Sequence, residues 1–186
     1  MPSSITPDIA GLRALSHPVR LRMLALLRGE GPATATTLAQ RLDLNTGATS
    51  YHLRQLAQHG FIEEDTERGN ARDRWWRAAH ESTRTDFRES GTVDSDVEAY
   101  LTTVALMYAD RMRAAVAEMA FLPQEWRSSG TLSDWEVRLT PAQAEALLRS
   151  LVTTIEATED SDADDAAPFV VNLNAFVRPG QQWGAS

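Results

Sequence analysis

The sequence predicts a mainly α-helical chain with an α+β C-terminal part. The predicted order is short helices, a β-hairpin, one long helix and a small strand-helix-strand subdomain. Three observations carry this. Apolar residues recur at spacings of three and four within residues 12–58 and again from Val97 to Met119. Capping and stop residues cut the first of these stretches into short pieces. Apolar and polar residues alternate from Trp135 to Leu139, the period of a strand.

Leu12 and Leu15 fall in a first short helix. Pro18 opens a second, with Ser16 or His17 as cap, because proline is tolerated where the N–H has no helical acceptor. Val19, Leu24 and Leu27 give that helix its apolar face, and Gly29 to Pro32 stop it. Thr34 caps a third helix whose inward residues are Leu38, Ala39 and Leu42. Asp43 and Leu44 make a tight turn. Asn45 caps a fourth helix running to about Gln58, closed by Gly60 where left-handed backbone is needed. Two short helices joined by such a turn form a helix-turn-helix unit. Phe61–Thr66 and Arg72–Arg77 read as the strands of a hairpin with Arg68, Gly69 and Asn70 at its tip.

The domain organisation expected is 1–80, a linker over 81–93, a long helix over 94–122, and a C-terminal subdomain over 123–186. Val97, Leu101, Val104, Tyr108, Met112, Ala115 and Met119 form a coiled-coil-like stripe with one stutter on the long helix, a length suited to a dimer seam. Leu12 and Leu15 are assigned to the same seam. Thr140-Pro141-Ala142-Gln143 is a capping box with proline at the first helical position. Leu147, Leu148, Leu151 and Ile155 follow as an apolar face. Strands are expected at Trp135–Leu139 and over 168–178, on either side of that helix and its acidic loop. Trp126, Trp135, Phe169, Phe176 and Trp183 offer either an apolar pocket for a small-molecule effector or a subdomain core; the core is the simpler reading.

Net charge is −8, which taken alone disfavours nucleic acid, but it is unevenly spread. Residues 1–80 carry 10 Arg against 8 Asp and Glu; residues 81–186 carry 8 Arg against 18. Every basic residue is Arg, explained most simply by a GC-rich genome, although the planar fork also suits phosphate and guanine edges. The absence of cysteine excludes disulfides, thiolate metal ligands and cysteine nucleophiles. No apolar run approaches membrane-spanning length and the N-terminus lacks a signal-peptide pattern, so a cytoplasmic protein is expected.

The fourth helix carries the functional argument. With Thr49 as reference, Leu53 and Leu56 fall within about 40° at 100° per residue, and these three hold the helix to the core. The opposite side presents Gly47, Tyr51, Arg54 and Gln58, with Thr46 and Ser50 at one edge and His52 at the other, next to the core. No acid occurs from Thr46 to Gln58, a composition that fits a helix entering a major groove between phosphates.

HPVRLRMLALL, TLAQRLDL, ATSYHLRQLAQHGFIEE and RDRWWR, in that order, resemble the ArsR-type winged helix-turn-helix family; the S-x-H-L signature appears as Ser50-Tyr51-His52-Leu53. The resemblance covers about residues 10–80. It implies a homodimer on a pseudo-palindromic operator in double-stranded DNA, usually a repressor, with Thr46, Gly47, Ser50, Tyr51 and Arg54 in the groove. His52 belongs to the candidate set, with a packed structural role as its alternative. Arg68, Arg72 and Arg74 would be the wing contacts. A winged helix that docks a protein instead of DNA is the rival reading, separable by salt dependence.

The metal-sensing residues of that family are missing. Cysteine is absent, and none of the four histidines (His17, His52, His59, His80) lies in the long helix. No metal or other cofactor is therefore expected. No nucleophile elbow, phosphate-binding loop or H-E-x-x-H motif is present, so no catalytic residue is assigned.

Overall fold

A computed structural model describes residues 3–68, 73–84 and 95–181. The chain divides into two units, one reaching Arg127 and one beginning at Ser128.

In the first unit local chemistry sets the helix ends. In α1 (Ile9–Leu15) the Asp8 carboxylate accepts the Gly11 N–H at 2.8 Å. In α2 (Pro18–Gly29) His17 is the cap, its Nδ1 accepting the Val19 N–H at 3.2 Å. The Arg20 guanidinium donates to the Ala14 carbonyl, one of the acceptors that the C-terminus of α1 leaves without a helical partner. Thr34 caps α3 (Ala35–Leu42), which ends on Asp43 in left-handed backbone at φ 54°. Asn45 caps α4 (Thr46–Gln58), its side chain accepting the Ala48 N–H at 2.8 Å. Gly60, at φ 72°, turns the chain so that the Phe61 N–H reaches the Leu56 carbonyl at 3.0 Å.

Among the described residues, five short strands accompany these helices: β1 (Ser4–Ile5), β2 (Ala33–Thr34), β3 (Ile62–Glu64), β4 (Trp75–Ala78) and β5 (Ser82–Thr83). β2, β4 and β3 form an antiparallel sheet in that order, with Ile62 opposite Ala78 and Ala33 opposite Trp76. The α3-turn-α4 pair with this hairpin is a winged helix-turn-helix. Its core holds Leu15, Met23, Leu38, Leu53, Leu56 and Phe61, all essentially inaccessible, with Trp76 beside them. Trp75, its neighbour on the strand, points to the other side and is half-buried.

The long helix α5 (Ser95–Glu118) packs on α1 and α2 and continues as a 3-10 turn, Met119–Phe121. Val97 and Tyr100 enter the core, while Leu101, Val104 and Met107 pack against it half-buried. Thr103 Oγ1 donates to the Ser16 carbonyl at 2.9 Å, and Arg13 pairs with Asp96. That bond holds the Asp96 carboxyl below its usual range. Among the described residues no helix is long and apolar enough to cross a membrane.

Several expectations are corrected here. Leu12, Leu15 and Val97, assigned to the dimer seam, are buried within the single chain among α1, α2 and α5. Of the predicted stripe, Met112 and Met119 are exposed and Tyr108 is half-buried; Leu106 and Val116, outside it, are exposed as well. The predicted linker begins as structure: β5 pairs in parallel with β1, and Arg28 donates to the His80 carbonyl at 2.8 Å and to Thr83 Oγ1 at 3.0 Å. The hairpin strands are shorter than predicted at their tip ends, since the last described backbone bond towards the tip runs from the Asp65 N–H to the Trp75 carbonyl.

The second unit contains α7 (Pro141–Glu156); α6 (Gln124–Ser129) spans the boundary. Both halves of the predicted capping box of α7 form: Gln143 N–H donates to Thr140 Oγ1, and the Thr140 N–H donates to Gln143 Oε1. The flanking strands do not form. Trp135–Leu139 and residues 168–178 have no ladder partner, and a strand exists only through one. The expected aromatic core is likewise not built: Trp135, Phe169 and Phe176 are exposed, at 81%, 59% and 79%. Trp183 lies outside the described residues.

Candidate nucleic-acid interface

The interface is built on α4. Thr49, Leu53 and Leu56 are each 0% exposed, so the helix has one rotational setting on the core. The Thr49 hydroxyl donates to the Asn45 carbonyl at 3.0 Å, which satisfies the one polar group on the buried face. That setting turns Thr46, Gly47, Tyr51, Arg54 and Gln58 to solvent, with Ser50 half-buried at the edge. Arg54 lies back along its own helix, Nε donating to the Ser50 carbonyl at 3.1 Å. Its head group is exposed and can exchange that bond for an acceptor on a ligand. Gly47 faces the cap closely: a Cβ there would stand 3.3 Å from Asn45 Oδ1, so a larger residue presses on the group that starts the helix.

His52 occupies a different environment. Its ring packs on His17 with centroids 4.5 Å apart, and Tyr51 meets it edge-on at 5.5 Å. His52 Nδ1 is inaccessible and has no hydrogen-bond partner among the described residues. Burial, then the neighbouring His17 and Arg20, push the His52 pKa down; burial and Arg20 do the same to His17. His52 thus packs α4 against the start of α2, in surroundings that disfavour its charged form. His17 and Arg20, its partners, were not predicted to bear on the interface, although both stand in the quoted HPVR segment.

The wing supplies cations that are already partnered. Arg68 Nε lies 3.7 Å from the buried Asp65 carboxylate, and its guanidinium sits 6.0 Å from the Trp75 ring centre. Arg74 pairs with Glu64 at 3.1 Å and lies 5.7 Å from the Trp76 ring centre. Arg77 pairs with Glu63 at 2.9 Å. The acids hold these arginines in place and lower the local positive field at once. Arg72 lies outside the described residues.

An open cleft of about 390 Å³ runs between the N-terminus of α3, the outer side of α4 and the wing. Thr36, Thr46, Ser50, Arg54, Asp73 and Arg74 line it. The cleft thus combines hydroxyls, two guanidiniums and one carboxylate, donors enough to grip a phosphate backbone. Thr36 and Asp73 belong to this set only through tertiary placement, since no spacing rule links residue 36 to residue 74. Among the described residues no three His, Cys, Asp or Glu side chains are grouped to hold a metal.

A family described as a helix-turn-helix domain matches residues 15–65. The HTH-type transcriptional regulator YgaV of Escherichia coli (strain K12) is 38% identical over 52 residues, 28% of this chain and 52% of that protein. The chain therefore spans about half the length of this curated relative. Among solved structures, a double mutant of Lactococcus lactis ZitR in apo form aligns over 76% of this chain and 82% of its own. Identity there is 17% and the TM-score is 0.34.

Proposed function

We propose that this protein is a DNA-binding transcriptional regulator of the ArsR type, acting in the cytoplasm as a homodimer on a pseudo-palindromic operator, and that it represses by occupying that operator. One observation carries the reading. The solvent side of α4 holds Thr46, Gly47, Tyr51 and Arg54 and no acid, on a helix whose setting is fixed by three inaccessible side chains. Arg54 reaches a guanine edge or a phosphate, and the Tyr51 hydroxyl donates to a phosphate. The Thr46 and Gly47 N–H groups, at the helix start, favour an anion. Arg68 and Arg74 follow the backbone beside the groove once a phosphate replaces their carboxylate partners. Met112 and Val116 on α5, apolar and exposed, form the dimer seam that sets two recognition helices about one turn of DNA apart.

The test is duplex binding by the wild type and by Tyr51→Ala/Arg54→Ala, on the region upstream of the protein's own gene and on random duplex, at two salt concentrations. The wild type prefers the upstream region. The double variant stays folded and loses that preference with a roughly 10- to 100-fold drop in affinity. Added salt weakens wild-type binding steeply. Failure of the wild type to bind any duplex at low salt overturns the reading and directs the search to a protein partner for the same face.

A further inference from the structure

We infer that the unit beginning at Ser128 is completed by the same unit of a second copy of this chain, the apolar face of α7 and the extended segments flanking it packing against their counterparts. This rests on the homodimer reading only in requiring two copies; it assigns a surface separate from α5.

No residue described from Ser128 onwards is buried. Among the described residues of this unit thirteen large apolar side chains are exposed, from Leu132 to Val177. The composition is not that of a disordered tail, which lacks apolar residues. α7 is tightly specified by its capping box, by Pro141 at its first position and by the Arg149–Glu145 pair at 2.7 Å. Its stripe of Leu147, Leu151 and Ile155, between 40% and 46% exposed, continues into the half-buried Leu148 and Val152. A helix so one-sided requires cover. Exposed by 39% to 81% each, the thirteen side chains together offer apolar surface on the order of the roughly 800 Å² that one partner contributes to a standard interface. The largest apolar patch of a typical monomer reaches about 300–600 Å², whereas a standard interface takes about 800 Å² from each partner.

A second copy meets the requirement with an equally apolar surface at equal concentration, through an isologous contact in which each patch is its own complement. Arg149 and Arg178 already pair with Glu145 and Glu136 inside the unit, so neither calls for an acidic partner. The unit is itself acidic, with 3 Arg against 9 Asp and Glu over residues 128–181. Two copies therefore repel through their charges while attracting through their apolar faces. Salt screens the repulsion, so association by this face tightens as salt rises. A cationic partner on the same face would respond the opposite way.

The chain has no cysteine, so a single introduced thiol reports one position per copy. Three full-length variants are treated with a short bismaleimide without DNA: Leu151→Cys in the middle of the apolar face, Thr153→Cys on the opposite side of α7, and Met112→Cys on α5. Leu151→Cys is expected to yield covalent dimers at least ten times faster than Thr153→Cys, and faster still at high salt. Leu151→Asp, followed by light scattering, raises the dissociation constant of the dimer at least tenfold. Equal linking of Leu151→Cys and Thr153→Cys overturns the inference, as does linking that weakens with salt. If Met112→Cys links while Leu151→Cys does not, the homodimer reading stands and this inference fails. If Leu151→Cys links while Met112→Cys does not, this inference stands and the α5 seam fails.

Discussion

α4 and α7 are built by the same local rules and end in opposite situations. Each begins at a side chain that accepts a hydrogen bond from the first turn, Asn45 in one and Thr140 in the other. Each carries apolar residues three and four apart. Thr49, Leu53 and Leu56 of α4 are inaccessible, whereas Leu147, Leu151 and Ile155 of α7 stay 40% exposed or more. The difference lies in the neighbours. α4 meets α1, α2, α3 and β3, while the extended segments on either side of α7 build no sheet for it to rest on. Amphipathic spacing states that a face needs cover; it does not state what covers it.

Truncating the two faces gives the largest contrast. Leu53→Ala leaves a cavity in a packed core and costs about 2–5 kcal/mol in denaturant unfolding. Leu151→Ala changes the stability of dilute protein by less than about 0.5 kcal/mol. If a second copy covers α7, as inferred above, any greater cost at Leu151 grows with protein concentration. A large, concentration-independent loss at Leu151 would erase the distinction between the two helices.

Acid separates the regions next. His17 and His52 sit where α2 meets α4, and the unit beyond Ser128 contains no histidine. Burial foremost, together with Arg20, holds both pKa values below the ordinary 6.5, so the folded chain binds protons less readily than the unfolded one. Stability from this pair is complete above pH 6.5. It declines as pH falls below that value, until the folded-state histidines themselves protonate. Denaturation midpoints of the first unit taken at about pH 7.5 and about pH 5.5 should fall accordingly. His52→Gln flattens the profile, since it removes one titrating ring. An unchanged slope in that variant would assign the acid sensitivity elsewhere.

The smallest effect sharpens the same point. Asn45→Ala and Thr140→Ala each remove one cap and cost about 1 kcal/mol of helix stability. In α4 the loss appears as a lower midpoint for the whole first unit, because the helix unfolds with its core. In α7 it appears as helical signal lost ahead of that transition, measurable by circular dichroism.

How much was legible follows from the range of each interaction. The caps at Thr34, Asn45 and Thr140, the turn at Asp43 and the stop at Gly60 were readable because donor and acceptor lie within a few residues of each other. The outer side of α4 was readable too, since three anchors on one helix settle which way the rest must point. β1, β2 and β5 were missed because a two-residue strand has no period to detect. The burial of Leu12, Leu15 and Val97 within one chain was not readable, because it depends on how α1, α2 and α5 pack together.

The sequence by itself therefore determined where α2, α3 and α4 start and stop and which side of α4 carries the hydroxyls and Arg54. Those properties are set by backbone geometry and contacts a few residues apart. The tertiary structure alone decided that His52 packs on His17, that Glu64 and Asp65 hold the wing arginines, and that Thr36 and Asp73 share a cleft with Arg54. It also decided that the segments around α7 stay unladdered. Each of these depends on groups far apart in the chain, and a burial or pairing energy has no value until its partner is in place.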